Sequence, residues 1–253
     1  MSAPEVTTPG ITLRGSYAHG DKVLFKNLEL RVEPGCWTCL LGPSGIGKST
    51  LLRLLAGLEA GGDFDGEIVT DDGLPLPGRI AYMAQSDLLP PWLNVRKAVV
   101  MGYTLRGETI DWERADALIE SVGLGPHKHK RHAELSGGMR QRVALARTLM
   151  ENRPVALLDE PFSALDARTR AEMQELGHGV LAGKTVLLVT HDPSEAARLG
   201  TKIHVITESG MREFEAPRAK PVRSPDDLET LQAQSALLSA LRARSSQSLS
   251  APS

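Results

Sequence analysis

The chain has 253 residues, enough for one large domain, or a domain with an added lobe, and for a substantial core. Its apolar share of 41%, charged share of 24% and formal net charge of −2 are ordinary for a globular protein and give no reason to expect nucleic acid or an anionic membrane surface as partner. Aromatics at 4% are too few for a base-stacking surface, Met1 to Gly10 lacks the basic and apolar regions of a secretory signal, and no apolar run approaches the roughly 18–20 residues that cross a bilayer.

In chain order, Ile11 to Leu30 reads as short strands with a turn at His19-Gly20-Asp21; alternation through Val23 to Leu30 suits a half-buried antiparallel hairpin. Trp37 to Leu41 is a buried strand running into Gly42. Ser49 to Leu58 is helical, with one stripe of leucines at 51, 52, 54, 55 and 58. Gly61, Gly62 and Gly66 break the pattern around strands at Glu67 to Val69 and Arg79 to Met83. From about Ser86 to Met150 the periodicity is helical, including Trp112 to Val122 and Met139 to Met150, and reads as a lobe inserted into a sheet domain. Strands return at Val155 to Leu158 and Thr185 to Thr190, with a helix at Ala167 to Leu181 between them. Short buried strands alternating with helices predict an α/β fold with a mainly parallel sheet covered on both faces. The domain spans 11–217 with its helical lobe at about 86–150. Residues 218–253 form a Pro- and Ser-rich tail with one helix at Leu228 to Leu241, a disordered end and a solvated character.

Two patterns invite chemistry and are better read without it. Cys36 and Cys39 form a C-x-x-C inside an apolar strand, not at the helix N-terminus that activates a redox thiol, so they read as reduced small hydrophobes. His127, His129 and His132 lie among Lys128, Lys130 and Arg131, cations that oppose a metal; a solvated basic loop is the simpler reading.

Gly42-Pro43-Ser44-Gly45-Ile46-Gly47-Lys48-Ser49 fits G-x-x-x-x-G-K-[ST] between a strand and a helix, the context that motif requires. Glycines let successive N–H groups turn inward toward phosphate oxygens, and the helix N-terminus adds its positive end. Lys48 reaches the β- and γ-phosphates and the Ser49 hydroxyl ligates Mg²⁺; Thr50 is counted with the nucleotide-binding residues. A nucleoside triphosphate, ATP, is the expected ligand. Val155 to Leu158 then ends in Asp159 and Glu160, whose side chains leave a strand on opposite sides. Asp159 is assigned to the Mg²⁺ shell and Glu160 to the attacking water as general base.

Leu135-Ser136-Gly137-Gly138-Met139-Arg140-Gln141-Arg142 starts a helix that Ser136 can cap, with Gly137 and Gly138 exposing backbone N–H groups. A second anion-binding helix terminus in one chain suggests that two copies, head to tail, sandwich two ATP molecules. With these residues in this order, the sequence resembles the ABC ATPase family over roughly Gly15 to Thr207. The resemblance implies a P-loop NTPase core with an N-terminal antiparallel β subdomain and an inserted helical subdomain. It also implies that Leu135, Ser136, Gly137, Gly138 and Gln141 bind nucleotide, that Tyr17 stacks on adenine, and that Gln85 completes the Mg²⁺ and water shell. Ser163-Ala164-Leu165-Asp166 looks like the loop that crosses the dimer seam, with Asp166 near nucleotide, and His191 like the switch histidine on the γ-phosphate.

Such a chain is an ATP hydrolase, with Glu160, His191 and Lys48 as its catalytic residues, and powers transport through partners. Those partners are a second ATPase subunit, transmembrane permease subunits and, indirectly, a substrate-binding protein, with no nucleic acid. It is expected in the cytoplasm, on the inner face of the membrane through the permease. Leu88-Leu89-Pro90-Pro91-Trp92-Leu93 after Gln85 resembles the region that receives a permease coupling helix. Gln85 to Val95 and Pro161 to Asp166 look like the nitrate, sulfonate and taurine importer group. Trp37 to Gly42, Arg79 to Gln85, Thr190 to Pro193 and Ile203 to Val205 look like its hydroxymethylpyrimidine, or thiamine-precursor, branch. The rival readings are an exporter subunit and a non-transport ABC ATPase; the long coiled-coil arms or second cassette of the latter are not in this sequence.

Overall fold

Residues 8–207 and 210–242 are described by the structure, a computed structural model. β1 (Ile11–His19) and β2 (Lys22–Val32) pair antiparallel, closing at His19↔Lys22 around Gly20-Asp21. β3 (Trp37–Leu41) is buried along its whole length and leads through a tight loop into α1 (Lys48–Leu55). The helix stops three residues short of the leucine stripe. Gly57 takes φ +67°, its N–H bonds the Leu54 carbonyl, and the Leu58 N–H bonds that of Arg53, a glycine stop that leaves Leu58 exposed.

β4 (Asp63–Thr70) pairs with β1 and runs through Gly66, where the sequence pattern suggests a break. Gly66 sits opposite Gly15, and a Cβ on it would meet the Arg14 carbonyl oxygen and Gly15 Cα. It marks a close approach of two strands, not an interruption. β5 (Ile80–Met83) follows.

The lobe begins nine residues after Ser86 with α2 (Val95–Val99), then α3 (Met101–Arg106), α4 (Trp112–Ser121) and α5 (Gly137–Met150). Polar side chains start three of these helices: Asn94 accepts from the Lys97 N–H, Asp111 from Arg114 and Ser136 from Met139. The remainder is β6 (Val155–Asp159), α6 (Ala167–Val180), β7 (Thr185–Thr190), α7 (Pro193–Leu199), β8 (Lys202–Thr207), β9 (Gly210–Phe214) and α8 (Leu228–Arg242). The sequence reading placed no strand at β8 or β9.

β2, β1 and β4 form one antiparallel sheet; the other runs β5-β6-β7-β3-β8-β9, parallel except where β9 turns back on β8. Alternation along the buried strands feeds two cores. Leu40, Val155, Leu157, Leu187 and Val189 pack toward α1 and the small sheet. Cys39, Leu41, Ala156, Leu158, Val186 and Leu188 pack toward α5, α6 and α7. Cys39 is thus a core residue whose thiol burial pushes its pKa up, and both cysteines are free. No group of three or more His, Cys, Asp or Glu side chains placed to hold a metal ion occurs among the described residues, and His132 faces Asp87. No helix of the described residues is long and apolar enough to cross a membrane.

The C-terminal segment corrects the expectation of a solvated tail. α8 packs on α7, with Leu237 and Thr230 buried. Arg223, 4% exposed, donates to the carbonyls of Ala219, Ala197, Gly200 and Pro217. Burial lowers its pKa, yet its donors are satisfied by backbone. Arg198 on α7 returns a bond to the Arg223 carbonyl. The expected disorder of 245–253 lies outside the described residues. Arg223→Met should leave four carbonyls without their donor and cost roughly 2–4 kcal/mol, read as a lower denaturation midpoint and faster proteolysis after residue 217.

Candidate functional site

Between β3 and α1 the backbone of Gly42–Ser49 curls around itself. Gly45 (φ +79°) and Gly47 (φ +102°) adopt left-handed conformations closed to most residues, and a Cβ on Gly42 would strike Ile206. Lys48 lies inside this loop, donating Nζ to the carbonyls of Gly42 (2.8 Å) and Pro43 (2.9 Å). Burial lowers its pKa, while Glu160 and Asp159 pull it back up. A buried ammonium held by carbonyls at the mouth of an N–H-lined loop is poised to exchange them for a stronger anionic acceptor.

A cleft of about 180 Å³ opens here, lined by Leu24, Ser44, Gly45, Gly47, Lys48, Ser49, Thr50, Gln85 and Glu160. The fold therefore collects residues from β2, from the loop before α1, from the end of β5 and from the end of β6. His191, just beyond β7, joins through Glu160: its Nδ1 lies 3.1 Å from Glu160 Oε2, and Gln85 Nε2 donates to the same oxygen at 3.4 Å. Glu160 has φ +50°, a conformation that costs a non-glycine residue on the order of 1–3 kcal/mol. Its N–H is tied to the Val189 carbonyl, so β7 holds the strained residue in place.

Asp159 turns the other way. It is 2% exposed, and burial raises its pKa, with the nearby Ser49 hydroxyl and Lys48 pulling it down. Its Oδ1 is buried without a hydrogen-bond partner. Ser49, Gln85 and Asp159 line one groove beside the phosphate cleft. An orphaned carboxylate oxygen beside a hydroxyl and an amide is the all-oxygen donor chemistry that suits Mg²⁺; these residues fit the ion.

Four assigned residues have partners of their own within the single chain. Tyr17 is 1% exposed, with its ring stacked on Phe25 at 5.8 Å and its hydroxyl donating to the Ala60 carbonyl at 2.7 Å. A ring with no free face is packing, and it has no surface to offer a base in this conformation. Gln141 is buried on α5, donating to the Glu160 carbonyl at 2.9 Å and accepting from the Ala164 N–H at 2.8 Å. It braces the loop after Glu160 and does not line the phosphate cleft of its own chain. The Leu135 side chain belongs to the core. Asp166 caps α6 by accepting from the Thr169 N–H, which holds its carboxyl below the usual range.

Ser136, Gly137 and Gly138 head α5 as expected, but Gly137 lines a separate groove with Gln85, Asp87, Gln141 and Ala164, not the phosphate cleft. Pro43 and Ile46 belong to the loop, Ile46 packing partly against the core. Sequence reasoning missed Leu24, whose alternating strand register gave only half-burial, and the contacts of Arg170 and Glu195, which depend on loops meeting in space.

A family model described as ABC transporter matches residues 25–163. The chain is similar to an uncharacterized ABC transporter ATP-binding protein of Haemophilus influenzae, at 48% identity over 76% of this chain and 79% of that one. It is also similar to aliphatic sulfonates import ATP-binding protein SsuB 1 of Rhodococcus jostii, at 43% over 86% and 88%, and to SsuB of Bacillus subtilis, at 39% over 72% of each. Among solved structures, the dimeric post-hydrolysis state of the ATP-binding cassette MJ0796, bound to ADP and Pi, superposes with a TM-score of 0.72 at 28% identity, over 85% of this chain and 99% of that one.

Proposed function

The chain belongs to the ABC transporter family, and on that footing we propose that it is the ATP-hydrolysing subunit of an importer whose cargo is an aliphatic sulfonate or a similar small polar anion. ABC ATP-binding proteins hydrolyse ATP to power transport, and several relatives are sulfonate import proteins by name. The observation that carries the hydrolytic reading is Glu160. Its Oε2 is oriented by both Gln85 and His191, at the wall of a phosphate-binding cleft.

In this reading Lys48 and the inward N–H groups of Gly42–Ser49 bind the β- and γ-phosphates. Glu160 takes a proton from water as the water oxygen attacks the γ-phosphorus. The bond to the β–γ bridging oxygen breaks, and ADP leaves with that electron pair. Gln85 and His191 Nδ1–H fix the carboxylate, and Lys48 with the loop N–H groups meets the charge that builds on the γ-phosphoryl. Ser49, Asp159 and Gln85 would hold Mg²⁺, which supplies charge neutralisation on the phosphates.

Gly137, beside Ser136 at the head of α5, lines another groove in the same chain, so the N–H groups of this helix start are assigned to the nucleotide of a second copy. That assignment is supported by the dimeric state of the similar cassette. Leu88 at 62% exposure and Trp92 at 72% follow Gln85 on the surface and suit an apolar helix of a permease. A substrate-binding protein would act on that permease, and the chain would sit at the membrane through it.

Magnesium-dependent phosphate release by the purified chain tests the first half of the reading. Vesicles holding its co-purified permease should take up labelled ethanesulfonate on addition of ATP and a binding protein. Uptake of hydroxymethylpyrimidine with no ethanesulfonate uptake would overturn the cargo assignment.

A further inference from the structure

α6 opens with two arginines that do different things. Arg168 lies in solvent against Glu172, an i,i+4 pair of little consequence. Arg170 turns inward. Its Nη2 donates to the Leu165 carbonyl at 3.0 Å and its Nε to that of Phe162 at 3.4 Å. The same guanidinium faces Asp192 Oδ2 at 3.6 Å and Glu195 Oε1 at 3.9 Å. One side chain thus spans the loop that follows Glu160 and the loop that carries His191.

The far anchor is buried. The Glu195 side chain is 4% exposed and accepts the Thr190 hydroxyl at 2.7 Å, while Thr190 Oγ1 accepts the Asp192 N–H at 3.0 Å. His191 lies between residues that this network pins on both sides, and it reaches Glu160 Oε2 from there.

We propose that Arg170 is a positioning residue for hydrolysis, tying the Phe162–Leu165 loop to the Thr190–Glu195 loop so that His191 stays within reach of Glu160. A backbone bond from the Glu160 N–H to the Val189 carbonyl joins the bases of the two segments, and a planar fork with several donors is suited to hold their outer parts together. The charges facing Glu195 are Arg170 from α6 and His191 and Asp192 from its own loop, with the Cys39 thiol of β3 behind it. Burial pushes the Glu195 carboxyl up to about 7, against the Thr190 hydroxyl, Arg170 and His191, which favour its charge. The tie to Arg170 is therefore at full strength above neutrality and weakens as the pH falls and Glu195 takes up a proton.

Resting on the ATPase reading above, this role fails separately from it: wild-type chain that releases no phosphate sinks that reading, whereas the variants below decide Arg170. Arg170→Met should lower kcat by about 10- to 100-fold, the scale of a small misplacement of a reacting group, with the Kd for a fluorescent ATP analogue unchanged. Without the cation, protonating Glu195 no longer releases a tie, so the part of the fall in kcat on acidification that Glu195 causes should be lost. Arg170→Lys should restore that part of the fall, and Glu195→Gln, which cannot take up the proton, should remove it as Arg170→Met does. A kcat for Arg170→Met within about twofold of wild type, or an acidic limb that stays in place in both Arg170→Met and Glu195→Gln, overturns the proposal.

Discussion

Glu160→Gln should bind ATP about as well as the parent and hydrolyse it roughly 10²–10⁴-fold more slowly, the range expected when a general base is removed. The glutamine oxygen can still accept from His191, 3.1 Å from Glu160 Oε2 in the parent, so the cleft keeps its shape. What disappears is a group able to take the water proton. Binding intact with chemistry arrested should trap the ATP-bound state, and light scattering behind size exclusion should show the chain shifting to two copies when ATP is added. Phosphate release near the parental rate would remove Glu160 from the base role. Arrest without a two-copy species would remove Ser136 and Gly137 from the partner's nucleotide.

Asp159→Asn should separate stability from activity with opposite signs. Burial holds the folded Asp159 carboxyl above its ordinary 3.8, so the folded chain binds that proton more tightly than the unfolded one. That contribution is complete below the ordinary value and is lost as pH rises through the raised one, leaving a net cost at neutrality. An amide can still accept from Ser49, and burying its dipole costs less than burying a charge. The variant should therefore melt higher than the parent at pH 7, by about 2–4 °C for each kcal/mol recovered, with the gap closing on acidification. Activity should fall by about a hundredfold or more, since a metal ion's charge stabilisation of several kcal/mol would be lost at about 1.4 kcal/mol per factor of ten. Magnesium added with ATP should stabilise the parent more than the variant. A variant that melts lower at pH 7 and shares its parent's magnesium response would contradict the assignment.

The parts legible in sequence were those whose chemistry is local. A strand, a glycine-rich turn and a helix start follow one another in Trp37–Leu55, so the phosphate loop needed no distant partner to be recognised. Ser136 as a helix cap is likewise a property of four neighbouring residues. The packing of Tyr17 was not legible, because position in a strand does not reveal which side of it becomes a sealed interface with Phe25. The contacts of Gln141 within its own chain were equally hidden: the resemblance gave it a nucleotide role, and only the fold shows its amide on the backbone of residues 160 and 164. α8 was legible as a helix at Leu228 to Leu241, but its docking and the burial of Arg223 were not, because a polar, proline-bearing segment looks solvated until its buried arginine finds four carbonyls.

The left-handed backbone at position 160 carries a further consequence for anyone breeding this chain for heat tolerance. A screen that rewards only survival of the fold would favour glycine or asparagine there, since either accepts that geometry with less penalty than glutamate. Improved thermal endurance and loss of the working carboxylate would arrive in the same clone, so any such campaign has to score turnover at every round.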